Sequence, residues 1–375
     1  MKKIAPIDLL LLAFSLTTCF AILELSLRVM KPQPTFSRLS FLAGSYYTKS
    51  EVTDWTLMPG FSGKMPSMEK PGETVEVNVD EYGFRKSKFS PSEIVTVVLG
   101  DSYTFGVYVD DEDTYVESLN KLSLANKTGE FFINAGFTGG LETDQHYAWL
   151  ANKITDLRPS RVIYATFPPN DIMGIKKANW LELNKDGLPV KWESLKLEVN
   201  ERGSIKEIAN STSSWLEMIH ALPFLRESHV FVAIARVIDV FMVEKVTSGE
   251  SYNFLFGLDH PGFSEQEAIY IDLIKGMLKL CAEMDVDFDV VLLPINFLVE
   301  PDKMHFFFNG MEKFDGLEST YYEDLSSRLE FLGVDVMNVE TLMKESSDGP
   351  FFPANGEPHF NTNGHLFVAR KIFEQ

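Results

Sequence analysis

A chain of 375 residues has room for one large domain with additions, and 45% hydrophobic and 13% aromatic content is the composition of a globular protein. A formal charge of −20, with no basic patch, argues against nucleic acid or another polyanion as partner. Two cysteines make no disulfide framework, and without CxxC or HExxH spacing the seven histidines carry no metal signature.

The first predicted element is apolar from Ile4 to Met30, interrupted by Asp8, Glu24 and Arg28. About 20 apolar residues span a bilayer, so residues 1–31 are expected to form a membrane helix, with Lys2 and Lys3 on the cytoplasmic side. No A-x-A cleavage site is visible. An uncleaved anchor is the first reading and a cleaved signal the second; either exports the rest of the chain. Residues 32–91 are expected to be a linker, marked by Pro32 and Pro34, and a small β-rich preface. ETVEVNVDEYGFR supplies its period-two alternation.

From residue 92 to 375 the pattern alternates between strand and helix. Short apolar runs at 94–99, 131–135, 161–167, 288–295 and 334–339 are rich in β-branched and aromatic residues, as in strands buried on both faces. Several of the helix-like segments between and after them begin at Asp, Ser, Thr or Asn. This alternation predicts a parallel sheet with helices on both faces. Residues 172–262 interrupt it. NWLELNKDGLPVKWE predicts a hairpin turning at Lys185-Asp186-Gly187. A long apolar helical stretch follows, and a lid, a membrane-leaning surface and a dimer contact all stand open for this insertion.

Four short stretches fall at the ends of these elements: GDS after the first strand, NAGFTGG after the second, PPND after the third, and EPHFNTNGH before the last helix. An ester-cleaving serine needs a base, usually histidine, oriented by a carboxylate. Its tetrahedral oxyanion needs N–H donors aimed at it. Ser102, His359, Glu357 and Asn170 carry those groups, and Gly139 can bring a bare backbone N–H close. The aromatic stretch MHFFFNGMEKF (304–314) suits either an acyl or sugar pocket or a packed loop.

In that order the four stretches resemble the blocks of the SGNH hydrolases, the GDSL esterase/lipase family, over residues 92–375 outside the insertion. The membrane helix and preface resemble those of bacterial anchored members. The resemblance implies a flavodoxin-like three-layer α/β/α sandwich with a parallel sheet. It also implies cleavage or transfer of O-acyl groups, acetyl first among them, through an acyl-serine and without a cofactor. Ser102 then is the nucleophile and, through its own N–H, an oxyanion donor; Gly139 and Asn170 are the other donors. His359 is the base and Glu357 its orienter, with Asp348 in reserve; His365 is not the base. The exported location favours esters of cell-envelope or extracellular polysaccharide as substrate. The alternative is a binding or scaffold protein on the same fold whose chemistry has decayed. The chain departs from the pattern in having Glu357 for the usual Asp, Pro169 for the usual Gly before Asn, and Tyr103 for Leu.

Overall fold

In the computed structural model the described residues are 6–30, 46–67, 69–70, 73–88, 94–138, 141–192, 198–199, 205–206, 228–231, 233–234, 249–304, 311–354 and 356–375. The chain begins with helix α1 (Pro6–Met30) and two antiparallel pairs, β1 (Tyr47–Lys49) with β2 (Trp55–Leu57) and β3 (Ser62–Pro66) with β4 (Thr74–Asn78). Then come β5 (Ile94–Gly100), α2 (Ser102–Phe105), α3 (Tyr115–Asn126), β6 (Glu130–Gly136), α4 (Thr143–Leu157), β7 (Arg161–Thr166) and α5 (Pro168–Asp171). The insertion carries the antiparallel pairs β8 (Trp180–Leu183) with β9 (Pro189–Trp192) and β10 (Glu198–Val199) with β11 (Ile205–Lys206). The last stretch holds α6 (Phe263–Ala282), β12 (Asp287–Leu292), α7 (Asn296–Val299), α8 (Tyr321–Phe331), β13 (Asp335–Asn338), α9 (Val339–Lys344) and α10 (Thr362–Phe373).

Five of these strands form one parallel sheet in the order β13-β12-β7-β5-β6. In chain order this is 2-1-3-4-5 read from the β6 edge, the flavodoxin-like arrangement of a doubly wound α/β fold. The three inner strands are apolar along nearly their whole length, and Val97, Val98, Leu99, Val162, Ile163, Tyr164, Val290 and Leu292 are all but inaccessible. Such strands need cover on both faces. α3 and α10 pack on one another in one layer, and α4 and α6 in the other. Both helices of the first layer start at side-chain caps, Thr114 accepting from Glu117 N and Asn361 from Gly364 N.

The register puts Gly100 level with Gly136 on one side and Ala165 on the other. Three loops therefore leave the sheet side by side at the carboxyl ends of β6, β5 and β7. In a sheet of this topology a site forms there, where the strand order reverses.

The preface is tied to the sheet by one buried cation. Arg85 forms a bridge to Asn134 of the edge strand β6. Its guanidinium donates to Asp111 Oδ1 (2.8 Å) and to the carbonyls of Phe105 (2.9 Å), Gly106 (2.6 Å) and Val109 (2.8 Å). Among the described residues, the one span long and apolar enough to cross a membrane is Leu10–Met30 of α1, with mean hydropathy 2.0. Its carboxylate, Glu24, accepts from Ser228 Oγ, His229 N and Val230 N of the insertion at 2.9–3.0 Å and pairs with Arg28. The expected hairpin is present, turning at Gly187 with φ 79°. Most of the apolar stretch after it, and residues 305–310 of the aromatic stretch, lie outside the described residues.

Candidate active site

The strand-to-helix turn at Gly100-Asp101-Ser102 follows from three local facts. A Cβ on Gly100 would stand 2.3 Å from the Ala165 carbonyl oxygen, so only glycine lets β5 end this close to β7. Asp101 caps the single turn α2, accepting from Tyr103 N at 2.9 Å. At Gly136, a Cβ would lie 2.1 Å from Phe105 N, so the glycine of NAG is the floor against which α2 packs. Asn134 donates to the Thr104 carbonyl (2.9 Å) and accepts from Gly136 N (3.0 Å), fixing α2 to β6. Ser102 is the first residue of α2, where a backbone N–H has no acceptor within its own helix.

Ser102 is partly exposed and its Oγ lies 2.8 Å from His359 Nε2. On the far side of the ring, Nδ1 is 2.6 Å from Glu357 Oε1. A carboxylate only accepts, so this contact puts the imidazole proton on Nδ1 and leaves the Nε2 lone pair facing the serine. Ser102 and His359 are 257 positions apart in the chain. Glu357 is 6% exposed, whereas Asp348 is exposed and its backbone carbonyl accepts from Asn363. Glu357, and not Asp348, therefore meets the ring.

Asn170 sits on α5, at the carboxyl end of the strand beside β5, with its side chain exposed and no hydrogen bond from it among the described residues. Pro168 and Pro169 occupy the first two positions of α5, where a missing N–H costs nothing, which explains how proline stands before this asparagine. Gly139 lies outside the described residues. His365 is buried in the other direction. Its Nδ1 accepts from Tyr115 N at 3.3 Å, and burial drives its pKa down to about 3, so it stays neutral.

Beneath these loops lies a layer of carboxyls that the motifs do not account for. Burial pushes Asp171 up to about 7, although Thr166 Oγ1 (2.6 Å) and Phe167 N (2.7 Å) donate to it. Burial and the charge of Asp171 push Asp101 well above the usual carboxylate range. Glu142 is pushed up for the same two reasons. Asp144, which accepts from Trp180 Nε1 at 2.7 Å, is pushed up to about 6 by burial. A sequence reading sees Asp101 and Asp171 only as neighbours of Ser102 and Asn170; their shared burial is a property of the packed sheet end.

Sequence reasoning also missed the groups around the imidazole. Tyr103 packs against His359 with ring centroids 4.9 Å apart, and Tyr108, at φ 69°, meets it edge-on at 5.7 Å. A bulky residue in the left-handed region is an outlier, and such outliers gather at functional sites. The available sequence signal was a tyrosine in a block where an apolar residue is usual.

Comparison with protein-family models finds no match, and no curated protein matches by sequence. Solved structures are similar at low identity. The esterase EstA from Pseudoalteromonas sp. is 10% identical over 75% of this chain and 96% of its own, with a TM-score of 0.36. A lipase/acylhydrolase from Enterococcus faecalis is 12% identical over 75% and 96%, at 0.35. A catalytic mutant of Axe2, an acetylxylan esterase from Geobacillus stearothermophilus, is 11% identical over 76% and 94%, at 0.38. The chain is a doubly wound α/β protein of flavodoxin-like strand order with a serine, a histidine and a glutamate in hydrogen-bonded series at the carboxyl end of its sheet.

Proposed function

We propose that the chain is a serine ester hydrolase or O-acyltransferase of the SGNH type. The observation that carries this reading is the continuous series Ser102 Oγ, His359 Nε2, His359 Nδ1 and Glu357, with contacts of 2.8 and 2.6 Å, on a partly exposed serine. His359 takes the Ser102 proton as the oxygen attacks an ester carbonyl, and Glu357 stabilises the imidazolium that forms. The Ser102 N–H, the Asn170 amide and the Gly139 N–H hold the oxyanion. Return of the proton from His359 to the departing alkoxide leaves an acyl-serine. Water or a sugar hydroxyl, deprotonated by the same imidazole, then takes the acyl group and frees Ser102.

The substrate is an O-acyl, most simply O-acetyl, ester of cell-envelope or extracellular carbohydrate. Tyr108, half-buried beside the imidazole, supports this by offering an aromatic surface of the kind sugar rings pack on. The chain is held on the membrane by α1 with the sheet domain on the exported side. Residues 32–91 serve as linker and preface, and 92–375 form the catalytic unit with its insertion at about 172–262.

A fluorophosphonate probe applied to cells tests the reading. The expected result is a labelled band of the full chain in the membrane fraction that survives alkaline carbonate extraction and vanishes in Ser102→Ala. Folded wild type that takes no label favours a decayed, scaffold-type protein instead; label found wholly in the soluble fraction removes the anchor.

A further inference from the structure

The histidine and the glutamate of the site sit on an irregular loop that reaches the serine only through the tertiary fold. Three consecutive carbonyls of that loop are gripped from the sheet side. Asn296, the first residue of α7 and 2% exposed, donates from Nδ2 to the Gly356 carbonyl at 2.7 Å and to the Glu357 carbonyl at 3.5 Å. Tyr103, next to the serine and 2% exposed, donates its hydroxyl to the Pro358 carbonyl at 2.6 Å, and more weakly to Pro294 at 3.4 Å. The Tyr103 ring is itself wedged between Phe167 (4.8 Å) and Phe360 (4.9 Å), so its hydroxyl has one place to point. Pro358 stands between Glu357 and His359 and lacks an N–H, so its carbonyl is the only backbone handle at that residue.

We propose that Tyr103 and Asn296 are positioning residues for the His359–Glu357 pair, forming a clamp on the 356–358 carbonyls that holds the imidazole at Ser102. The idea rests on the serine-hydrolase reading above and adds how the pair is delivered. A glutamate reaches one methylene further than an aspartate, so its backbone must be held at one distance from the ring for the 2.6 Å contact to form. Two donors fixed in the core do this from both ends of the loop. The tyrosine hydroxyl then has a use in a block where an apolar side chain would serve for packing alone. Small displacements of a base from its nucleophile cost large factors in rate.

The test is steady-state hydrolysis of p-nitrophenyl acetate by the full-length protein. Tyr103→Phe keeps the ring against His359 and removes only the hydroxyl; Asn296→Asp keeps the volume and replaces the donor by oxygen. Both are expected to lower kcat about tenfold with KM unchanged. In a His359→Ala background, where the residual rate owes nothing to the imidazole, Tyr103→Phe is expected to cost nothing further. A purely structural tyrosine would lower activity in both backgrounds in step with the folded fraction, followed by circular dichroism. Tyr103→Phe at the wild-type kcat, or an equal loss in the His359→Ala background, overturns the clamp and leaves the hydrolase reading standing. Wild type without Ser102-dependent turnover, assayed alongside, overturns that reading and the clamp with it.

Discussion

At the scale of single residues, the site is economical in what it needs from each side chain. In the proposed mechanism Ser102 supplies an oxygen and an N–H, His359 one lone pair, and Glu357 one acceptor for Nδ1. Asn170 is the residue whose part rests on its amide alone, since its side chain is exposed at the sheet end and engaged by nothing described. Removing one oxyanion donor typically costs ~10²–10³ in turnover. Asn170→Ala is therefore expected to lose about that factor in kcat on p-nitrophenyl acetate while folding normally; wild-type turnover in this variant would remove Asn170 from the oxyanion site. Ser102, His359 and Asn170, to which the proposed mechanism gives chemistry, stood out in the sequence because each lies in a short block with its own local meaning. Tyr103 and Asn296 were not, because their partners lie 255 and 60 positions away and no local pattern reports a hydroxyl's distant acceptor.

Among elements, close approach decides more than propensity does. α2 is a single turn and too short to be stable alone. It exists because Asp101 caps it, Asn134 and Arg85 hold its carbonyls, and Gly136 lets it lie on β6. Gly136→Ala is expected to push α2 off the strand, lowering stability by about 1–3 kcal/mol through overpacking and slowing fluorophosphonate labelling of Ser102. A urea midpoint and labelling rate both equal to wild type would show that the contact yields freely. The five sheet strands were readable from their apolar runs, with ends shifted by a few residues at most. The short α7 and α9 were not, since four to six residues carry no usable period. Arg85 shows a different limit. In the sequence it is one cation among the 34 Lys and Arg residues, and only the packed preface makes it a buried fastening for the turn that carries Ser102.

For the molecule as a whole, charge and burial pull in opposite directions as pH changes. Asp171 and Asp144 hold their protons to about 7 and about 6 in the folded state, against 3.8 when exposed. The folded state thus binds more protons than the unfolded chain between about pH 4 and those values. Stability from each is fully present near pH 4 and is lost as pH rises through 6 and 7. His146 and His365, kept neutral by burial down to about pH 3, act with the other sign and favour folding as pH rises toward 6.5. The two effects overlap, so the wild-type profile alone does not separate them. Asp171→Asn does. It keeps an acceptor for Thr166 and Phe167 but no longer loses a proton. Its stability relative to wild type is expected to grow by a few kcal/mol between pH 4 and pH 7, then level off. Urea midpoints measured at four pH values check this; a difference independent of pH would mean that Asp171 ionises normally in the fold.

By itself the sequence determined the strand-and-helix alternation, the apolar N-terminal helix and the serine and histidine of the proposed site. Those follow from periodicity, run length and residue type, which are local properties. Only the tertiary structure decided that Glu357 rather than Asp348 meets the ring, that the GDS and EPH stretches touch, and that four carboxyls share the ground beneath them. Each of these is a distance between residues far apart in the chain. Such distances are fixed only when two layers of helices close on one sheet and bring its loops together at the carboxyl end.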